Sequence, residues 1–198
     1  MNSQTDQAYL DAIGECKALF LRKAEDYGSS WRLFRLSSLT DQIFIKANRI
    51  RQLEEMPDRP AIPEGEVDEY KGVFNYAVMA LMRLWYPEEL PEVNLLTSDG
   101  FTHISLSVLH SVYDRVTSRL YGLMQKKNHD YGDIWRAMRV SSITDQLLVR
   151  VWRLKNLEDK GGQARCSEGA DANYADIANY ATFALLKLAE TTGRGPAT

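Results

Sequence analysis

Two equivalent sets of charged and aromatic residues carry the groups in this sequence that are best suited to binding a ligand. The first set consists of Lys23, Asp26, Tyr27, Trp31 and Arg35. The second set has the same residue types at the same spacing and consists of Lys127, Asp130, Tyr131, Trp135 and Arg139. Aromatic rings can stack on a nucleotide base, while a lysine or arginine beside them holds a phosphate. The structural alternative is that Gly28 and Gly132 end helices and the rings fill the base of a helical bundle.

A charged helix face is the second candidate binding surface. Gln42, Lys46 and Arg49 are spaced i, i+4 and i+7, which places them on one side of a helix. The same face recurs as Gln146, Arg150 and Arg153. Charges on a helix face are most often solvated, but the retention of arginine as Arg49 and Arg153 favours a specific partner.

Acidic and amide residues further along the chain are the candidates for a metal site and a sugar contact. Asn75 and Asn179 begin a shared Asn-Tyr-Ala motif, and their amides are suited to a nucleotide sugar. A Glu-x-x-Asp pair would suit Mg²⁺, but Glu69 and Asp176 are its two halves in different repeats. With Asp145 they are the candidate Mg²⁺ ligands, which form either a composite site or none.

The two copies differ most at one position of the third helix. Asp176 corresponds to Gly72, which has no side chain that could ligate a metal or pair with an arginine. We therefore expect the second copy to hold the more competent site. The structural alternative for Asp176 is an ion pair with Arg153.

These features recur because the chain is an internal duplication with a constant offset of 104 residues and no gap. Two copies of this length indicate a duplicated domain and not a solenoid. The predicted units are residues 1–86 and 101–191, joined by a linker at 87–100 and followed by a tail at 192–198. Each unit leaves one apolar side to bury, so the prediction is an all-α, pseudo-two-fold helical bundle.

Apolar periodicity predicts three main helices in each unit. Those of the first unit are expected at residues 8–23, 38–55 and 67–85, with a loop or single turn at 29–37. Two of those of the second unit are expected at 101–127 and 171–191. Ser38 and Ser142 each begin a Ser-x-x-Asp sequence that ends at Asp41 or Asp145 and is typical of a capping box. Loss of such a cap is expected to cost about 1 kcal/mol.

Composition restricts the class of protein. The chain has 198 residues and a net charge of −3, without the basic excess of a nucleic-acid groove. Cys16 and Cys166 occupy unmatched positions, which favours a reducing compartment. The N-terminal sequence lacks the features of a signal peptide, and no apolar run is long enough to span a membrane. We expect a cytoplasmic protein.

The chain contains the string K-x-x-D-Y-G-x-x-W, followed by S-S-[LI]-T-D-Q and N-Y-A. In these motifs it resembles a family of bacterial and phage proteins with a domain of unknown function that is also called the nucleotide modification associated domain. Bacterial members resemble this chain in carrying two copies, and the resemblance covers nearly its whole length. It implies a link to modified-nucleotide metabolism. A more distant similarity is to the all-α nucleotide pyrophosphohydrolases of the MazG type, which bind Mg²⁺ through helical Glu-x-x-Glu and Glu-x-x-Asp. This sequence lacks the first motif in its second helix, and the second motif is split.

Three functions stay open at this point. The first is a Mg²⁺-dependent enzyme that processes a nucleotide phosphate, and the second is a nucleotide-binding or regulatory module without turnover. The third is a purely structural pseudo-dimer, which is least favoured because it leaves the shared polar residues unexplained. The expected partner is a nucleotide or nucleotide-like molecule, and homo-oligomer formation stays open.

Overall fold

Six long helices form the described part of the molecule. The computed structural model describes residues 3–56, 65–94, 101–161 and 169–191. The helices are α1 (Ser3–Tyr27), α2 (Leu36–Glu55), α3 (Glu66–Trp85), α4 (Leu106–Tyr131), α5 (Val140–Asp159) and α6 (Ala170–Thr191). Short 3₁₀ helices at Ser30–Leu33 and Ile134–Ala137 precede α2 and α5. These residues contain no β-strand, so the all-α prediction is confirmed.

The duplication predicted from the sequence is visible in the order and length of the elements. α2 and α5 have 20 residues each and begin 104 residues apart, as do the two 3₁₀ helices. α1 and α4 both end at the tyrosine before a glycine. α4 begins at Leu106, after the predicted start, because Ser105 caps it by accepting a hydrogen bond from the Val108 amide.

The helices pack in three layers of two. α3 and α6 form the middle layer and make the most extensive contact in the molecule. α2 and α5 cover one side of this pair, and α1 and α4 cover the other. The middle helices are therefore rich in buried residues, including polar ones such as Glu69 and Asp176.

The predicted capping role of Ser38 and Ser142 is wrong. α2 and α5 begin two residues earlier, after Arg35 and Arg139, and neither helix start has a side-chain cap. The Arg35 carbonyl already accepts the first helical hydrogen bond, from the Leu39 amide. Ser38 and Ser142 thus lie inside the first turn.

Two predicted segments fall partly or wholly outside the described residues, namely residues 95–100 of the linker and the tail at 192–198. Residues 57–64 and Cys166 also lie outside them. The linker residues 87–94 are described and form a turn followed by chain without regular secondary structure. Among the described helices, none has both the length and the apolar character needed to cross a membrane.

Candidate functional site

Polar residues of one repeat contact polar residues of the other at the interface between α2 and α5. The Thr40 hydroxyl donates a hydrogen bond to Glu158 Oε1 at 2.6 Å and lies 2.7 Å from the Tyr174 hydroxyl. The equivalent contacts in the other direction join Thr144 to Glu54 at 2.6 Å and to the Tyr70 hydroxyl at 2.7 Å. Because the six residues correspond in pairs, this arrangement follows the predicted pseudo-two-fold relation.

Burial changes the ionisation of these clusters. It raises the pKa of Glu54 above its ordinary value, although the hydrogen bond from Thr144 acts in the opposite direction. Glu158 is affected in the same way, with Thr40 as the opposing donor. The pKa of Tyr70 is raised by burial as well. The clusters therefore favour the protonated forms of their acids more than water does.

The Asn-Tyr-Ala asparagines, which the sequence suggested as sugar contacts, lie inside the core. Tyr113 donates a hydrogen bond to Asn75 Oδ1 at 2.8 Å, and Tyr9 donates one to Asn179 Oδ1 at 2.5 Å. Each tyrosine belongs to the opposite repeat, and the two tyrosines are themselves equivalent. Asn75 also donates to the backbone carbonyl of Cys16 at 3.0 Å. Both amides are thus engaged in joining the repeats.

Two equivalent ion pairs connect the outer sides of α2 and α5. Asp41 pairs with Lys155, and Asp145 lies 3.8 Å from Arg51. Since the serines do not cap helices, neither aspartate completes a capping box. Their retention in both repeats is explained by this reciprocal contact.

The tryptophans predicted as stacking platforms are buried. Trp31 is 8% exposed and contacts Phe20 edge-on, whereas Trp135 is 3% exposed and stacks on Phe183 with ring centroids 4.8 Å apart. Both indole N–H groups lack a hydrogen-bond partner among the described residues. The ring faces thus belong to the core, and Tyr27, at 68% exposed, is the accessible aromatic of its set.

The charged members of both residue sets lie at the surface, whereas the neighbouring Arg32 does not. Lys23, Asp26 and Arg35 are exposed, and so are Lys127, Asp130 and Arg139 of the second set. Tyr131 is the last residue of α4, and its side chain lies outside the described part. Arg32, which follows Trp31, is buried and donates to the carbonyls of Pro91 and Thr102 at 2.5 and 2.6 Å. It therefore fixes the chain that connects the repeats.

The charged face of α2 borders a cleft of about 340 Å³. Lys46 reaches the buried carboxylate of Glu69 at 2.9 Å, and Arg49 lines the cleft without a partner among the described side chains. The lysine lies across Gly72, where an added Cβ would clash with Lys46 Cδ. The glycine thus makes room for this ion pair.

The equivalent place in repeat two has a different arrangement, which we call the repeat-two cluster: Lys127, Arg150 and Asp176. Asp176 Oδ2 lies 3.0 Å from Arg150 Nη2, and Asp176 Oδ1 pairs with Lys127. The Asp176 side chain is only 7% exposed, whereas that of Lys127 is 56% exposed. The predicted alternative, an ion pair with Arg153, names the wrong arginine, because Arg150 is the one on the side of α5 that faces α6.

The three candidate Mg²⁺ ligands do not come together. Glu69, Asp145 and Asp176 each pair with a different basic residue, and two of these carboxylates are buried against their partners. No group of three or more histidine, cysteine, aspartate or glutamate side chains with metal-site geometry occurs in the described ranges. A hard cation needs several free oxygen ligands, so this donor set does not fit Mg²⁺.

Comparison with known proteins agrees with the repeat arrangement. A search of curated proteins and a search of solved structures gave no match. The family described as nucleotide modification associated domain 1 matches twice, at residues 23–84 and 127–188. The two matched segments are separated by the offset of the duplication and together cover more than half of the chain. The chain therefore belongs to the nucleotide modification associated domain 1 family, in which it carries two copies of the domain.

Proposed function

We propose that the protein binds an anionic nucleotide or nucleotide-like phosphate through the repeat-two cluster. The observation that supports this proposal is the buried carboxylate of Asp176, which holds one guanidinium and one ammonium group at the same time. One negative and two positive charges leave the cluster with a net positive charge. A phosphate oxygen can compensate that charge.

The arrangement of the cluster suits phosphate recognition. Asp176 fixes the direction of the Arg150 side chain, so less side-chain entropy is lost when a ligand binds. Lys127 remains half exposed and can act as a mobile point charge. Arg153 lies one turn further along α5, is exposed and has no partner among the described residues. A second phosphate oxygen could therefore be bound beside the first.

The inter-repeat contacts do not account for the cations of this cluster. They explain the retained Thr, Glu, Tyr and Asn residues, which supports a structural pseudo-dimer for that part of the polar set. Lys127 has its equivalent in Lys23, which is exposed and lacks a partner among the described residues. Arg49 and Arg153 are likewise retained, and neither forms an ion pair or hydrogen bond within the described ranges. Ligand binding gives these cations a role that packing does not.

We favour binding without metal-dependent turnover. Glu69 and Asp176, two of the three candidate Mg²⁺ ligands, are buried and already paired with cations, so Mg²⁺ would first have to displace those partners. The protein then acts as a nucleotide-binding or regulatory module. Mg²⁺-dependent hydrolysis remains the alternative that the experiment below distinguishes.

Calorimetric titration against nucleoside mono-, di- and triphosphates and the matching nucleosides tests the proposal. We expect phosphate-dependent binding that persists in EDTA and weakens with salt, because exposed charges are screened. Release of phosphate or pyrophosphate, followed in parallel with Mg²⁺, should stay at the level of the buffer. Binding of nucleosides and nucleotides with equal affinity, or no binding at all, would contradict the proposal. Turnover would establish the enzymatic alternative.

A further inference from the structure

The outer face of α2 and α5 carries exposed apolar side chains, and none of the described residues covers them. Ile45 is 56% exposed, Val149 is 46% exposed and Trp152 is 63% exposed. Ile45 and Val149 occupy equivalent positions in the two repeats. An exposed tryptophan beside branched aliphatic residues is typical of an interaction surface, because large apolar patches are rare on monomeric proteins.

The geometry of the two helices brings these residues together. Thr40 contacts Glu158 and Glu54 contacts Thr144, so α2 and α5 run antiparallel. Asp41, Ile45, Asn48 and Gln52 share one exposed stripe of α2, with spacings of four, three and four residues. The matching stripe of α5 consists of Asp145, Val149, Trp152 and Asn156. Antiparallel packing therefore places residues 45–48 alongside residues 149–152.

Charged pairs border this apolar centre at both ends. Lys155 and Asp41 pair at one end, and Arg51 and Asp145 approach each other at the other. Each end thus has one acid and one base, and the two ends are related by the pseudo-two-fold axis. A surface with this pattern is self-complementary, because a copy rotated by a two-fold axis can place acids against bases at both ends.

The size of the face is sufficient for association with another protein. A helix of 20 residues, as in α2 and α5, is about 30 Å long and about 10 Å wide with side chains, so two present about 600 Å². Covering this face on two molecules would bury about 1,200 Å² in total, which is at the lower end of specific, stable interfaces.

We propose that a second copy of this chain binds to the α2/α5 face, so that the protein is a dimer in which Trp152 of each copy lies in the interface. A second copy fits this surface better than a lipid surface does, since acidic residues border the patch at both ends. The dimer is isologous, and the middle layer of α3 and α6 stays inside each copy. This assembly does not depend on the proposed ligand.

Sedimentation equilibrium of the full-length protein over a concentration series tests the proposal. We expect the wild-type chain to be a dimer and Trp152→Glu to dissociate about 30-fold or more readily, because central tryptophans dominate interfaces. Val149→Lys should act in the same direction. Leu10→Glu is the matched control, since Leu10 is 44% exposed on α1, outside the face, and this variant should remain a dimer.

Circular dichroism and thermal melting show whether each variant is folded. A wild-type chain that is monomeric up to about 200 µM, where a micromolar dissociation constant would be detected, overturns the proposal. So does a dimer that both Trp152→Glu and Val149→Lys leave intact. If both face variants misfold, crosslinking through Asn48→Cys and Asn156→Cys in the wild-type background decides. Crosslinked dimers would support the proposed interface, and their absence would overturn it.

Discussion

Tyr9 and Tyr113 show how a polar residue can recur in both repeats without contacting a ligand. Each donates a hydrogen bond to the asparagine of the opposite repeat, in the fully buried centre of the molecule. Retention of Asn75 and Asn179 therefore reflects the interface between repeats. At the scale of single residues, reciprocal contacts and ligand contacts leave the same mark on the sequence.

Tyr113→Phe tests this reciprocal bond. It leaves Asn75 Oδ1 buried without its donor, which should cost roughly 1–3 kcal/mol and lower the melting temperature by several degrees. Tyr27→Phe is the matched control, because Tyr27 is exposed, and it should be within about 0.5 kcal/mol of wild type. Equal melting temperatures for the two variants would show that the buried bond does not contribute.

A second prediction concerns the pH dependence of stability. The folded-state pKa of Glu54 is raised by burial, so the folded protein binds more protons than the unfolded chain between the ordinary and the raised pKa. Stability contributed by this group is present at low pH and lost as pH rises through that interval. Glu54→Gln mimics the protonated acid. Its melting temperature relative to wild type should therefore be higher at pH 7 than at pH 4, and a difference independent of pH would contradict the assignment.

At the scale of helices, the ends are set by backbone conformation more than by side-chain caps. Gly28 and Gly132 follow α1 and α4 with φ of 60° and 65°, as the sequence predicted for a residue after a helix end. The Ser-x-x-Asp sequences, by contrast, do not cap α2 and α5, because the preceding 3₁₀ turn already directs the chain into each helix. Ser142→Ala is accordingly expected to change stability by less than about 0.5 kcal/mol.

Glycine-to-alanine substitutions distinguish a glycine that follows a helix with a positive φ from a glycine inside a helix. Gly132→Ala places a side chain at φ 65° and ψ −168°, a backbone conformation essentially restricted to glycine, and should cost about 1–3 kcal/mol, although its Cβ would meet no atom within 4 Å. Gly14 and Gly122 lie inside α1 and α4, and their Cβ atoms would also meet no atom. Gly14→Ala and Gly122→Ala should each stabilise the protein by about 0.5–1 kcal/mol. Thermal denaturation of the three variants tests this account. Melting temperatures that all moved in the same direction from that of the wild type would contradict it.

At the scale of the whole molecule, the repeats are interlocked and not merely joined. α1 packs on both middle helices. Buried hydrogen bonds join Tyr9 to Asn179, Thr40 to Glu158 and Thr144 to Glu54, and each of them links one repeat to the other. Disrupting one half must therefore remove contacts that the other half needs. We predict one cooperative unfolding transition, with equal calorimetric and van't Hoff enthalpies. Two resolved transitions would show that the repeats are independent domains.

The sequence was sufficient to predict the helical class, the duplication and the pseudo-two-fold arrangement, because periodicity and a constant offset encode them directly. It could not show that Trp135 is covered by Phe183 or that Arg150, and not Arg153, reaches Asp176. The contact between Arg150 and Asp176 depends on the rotation of α5 against α6, and the Trp135–Phe183 contact depends on how the 3₁₀ helix at Ile134–Ala137 packs on α6. Neither spacing nor residue type determines these two arrangements. The exposure of Trp152 was also missed, although its equivalent in repeat one is the polar residue Asn48, which was a signal.

The central claim is that the repeat-two cluster binds phosphate, and nucleotide titration of the matched pair Arg150→Gln and Lys46→Gln tests it most directly. The two residues are equivalent in the duplication, and each pairs with a buried acid on the neighbouring middle helix. We predict that Arg150→Gln weakens binding about 10-fold or more, since a hydrogen bond to a charged group contributes roughly 1.5–3 kcal/mol. Lys46→Gln should leave the affinity within about threefold of wild type. Binding that is unaffected by Arg150→Gln in a folded protein would contradict the account.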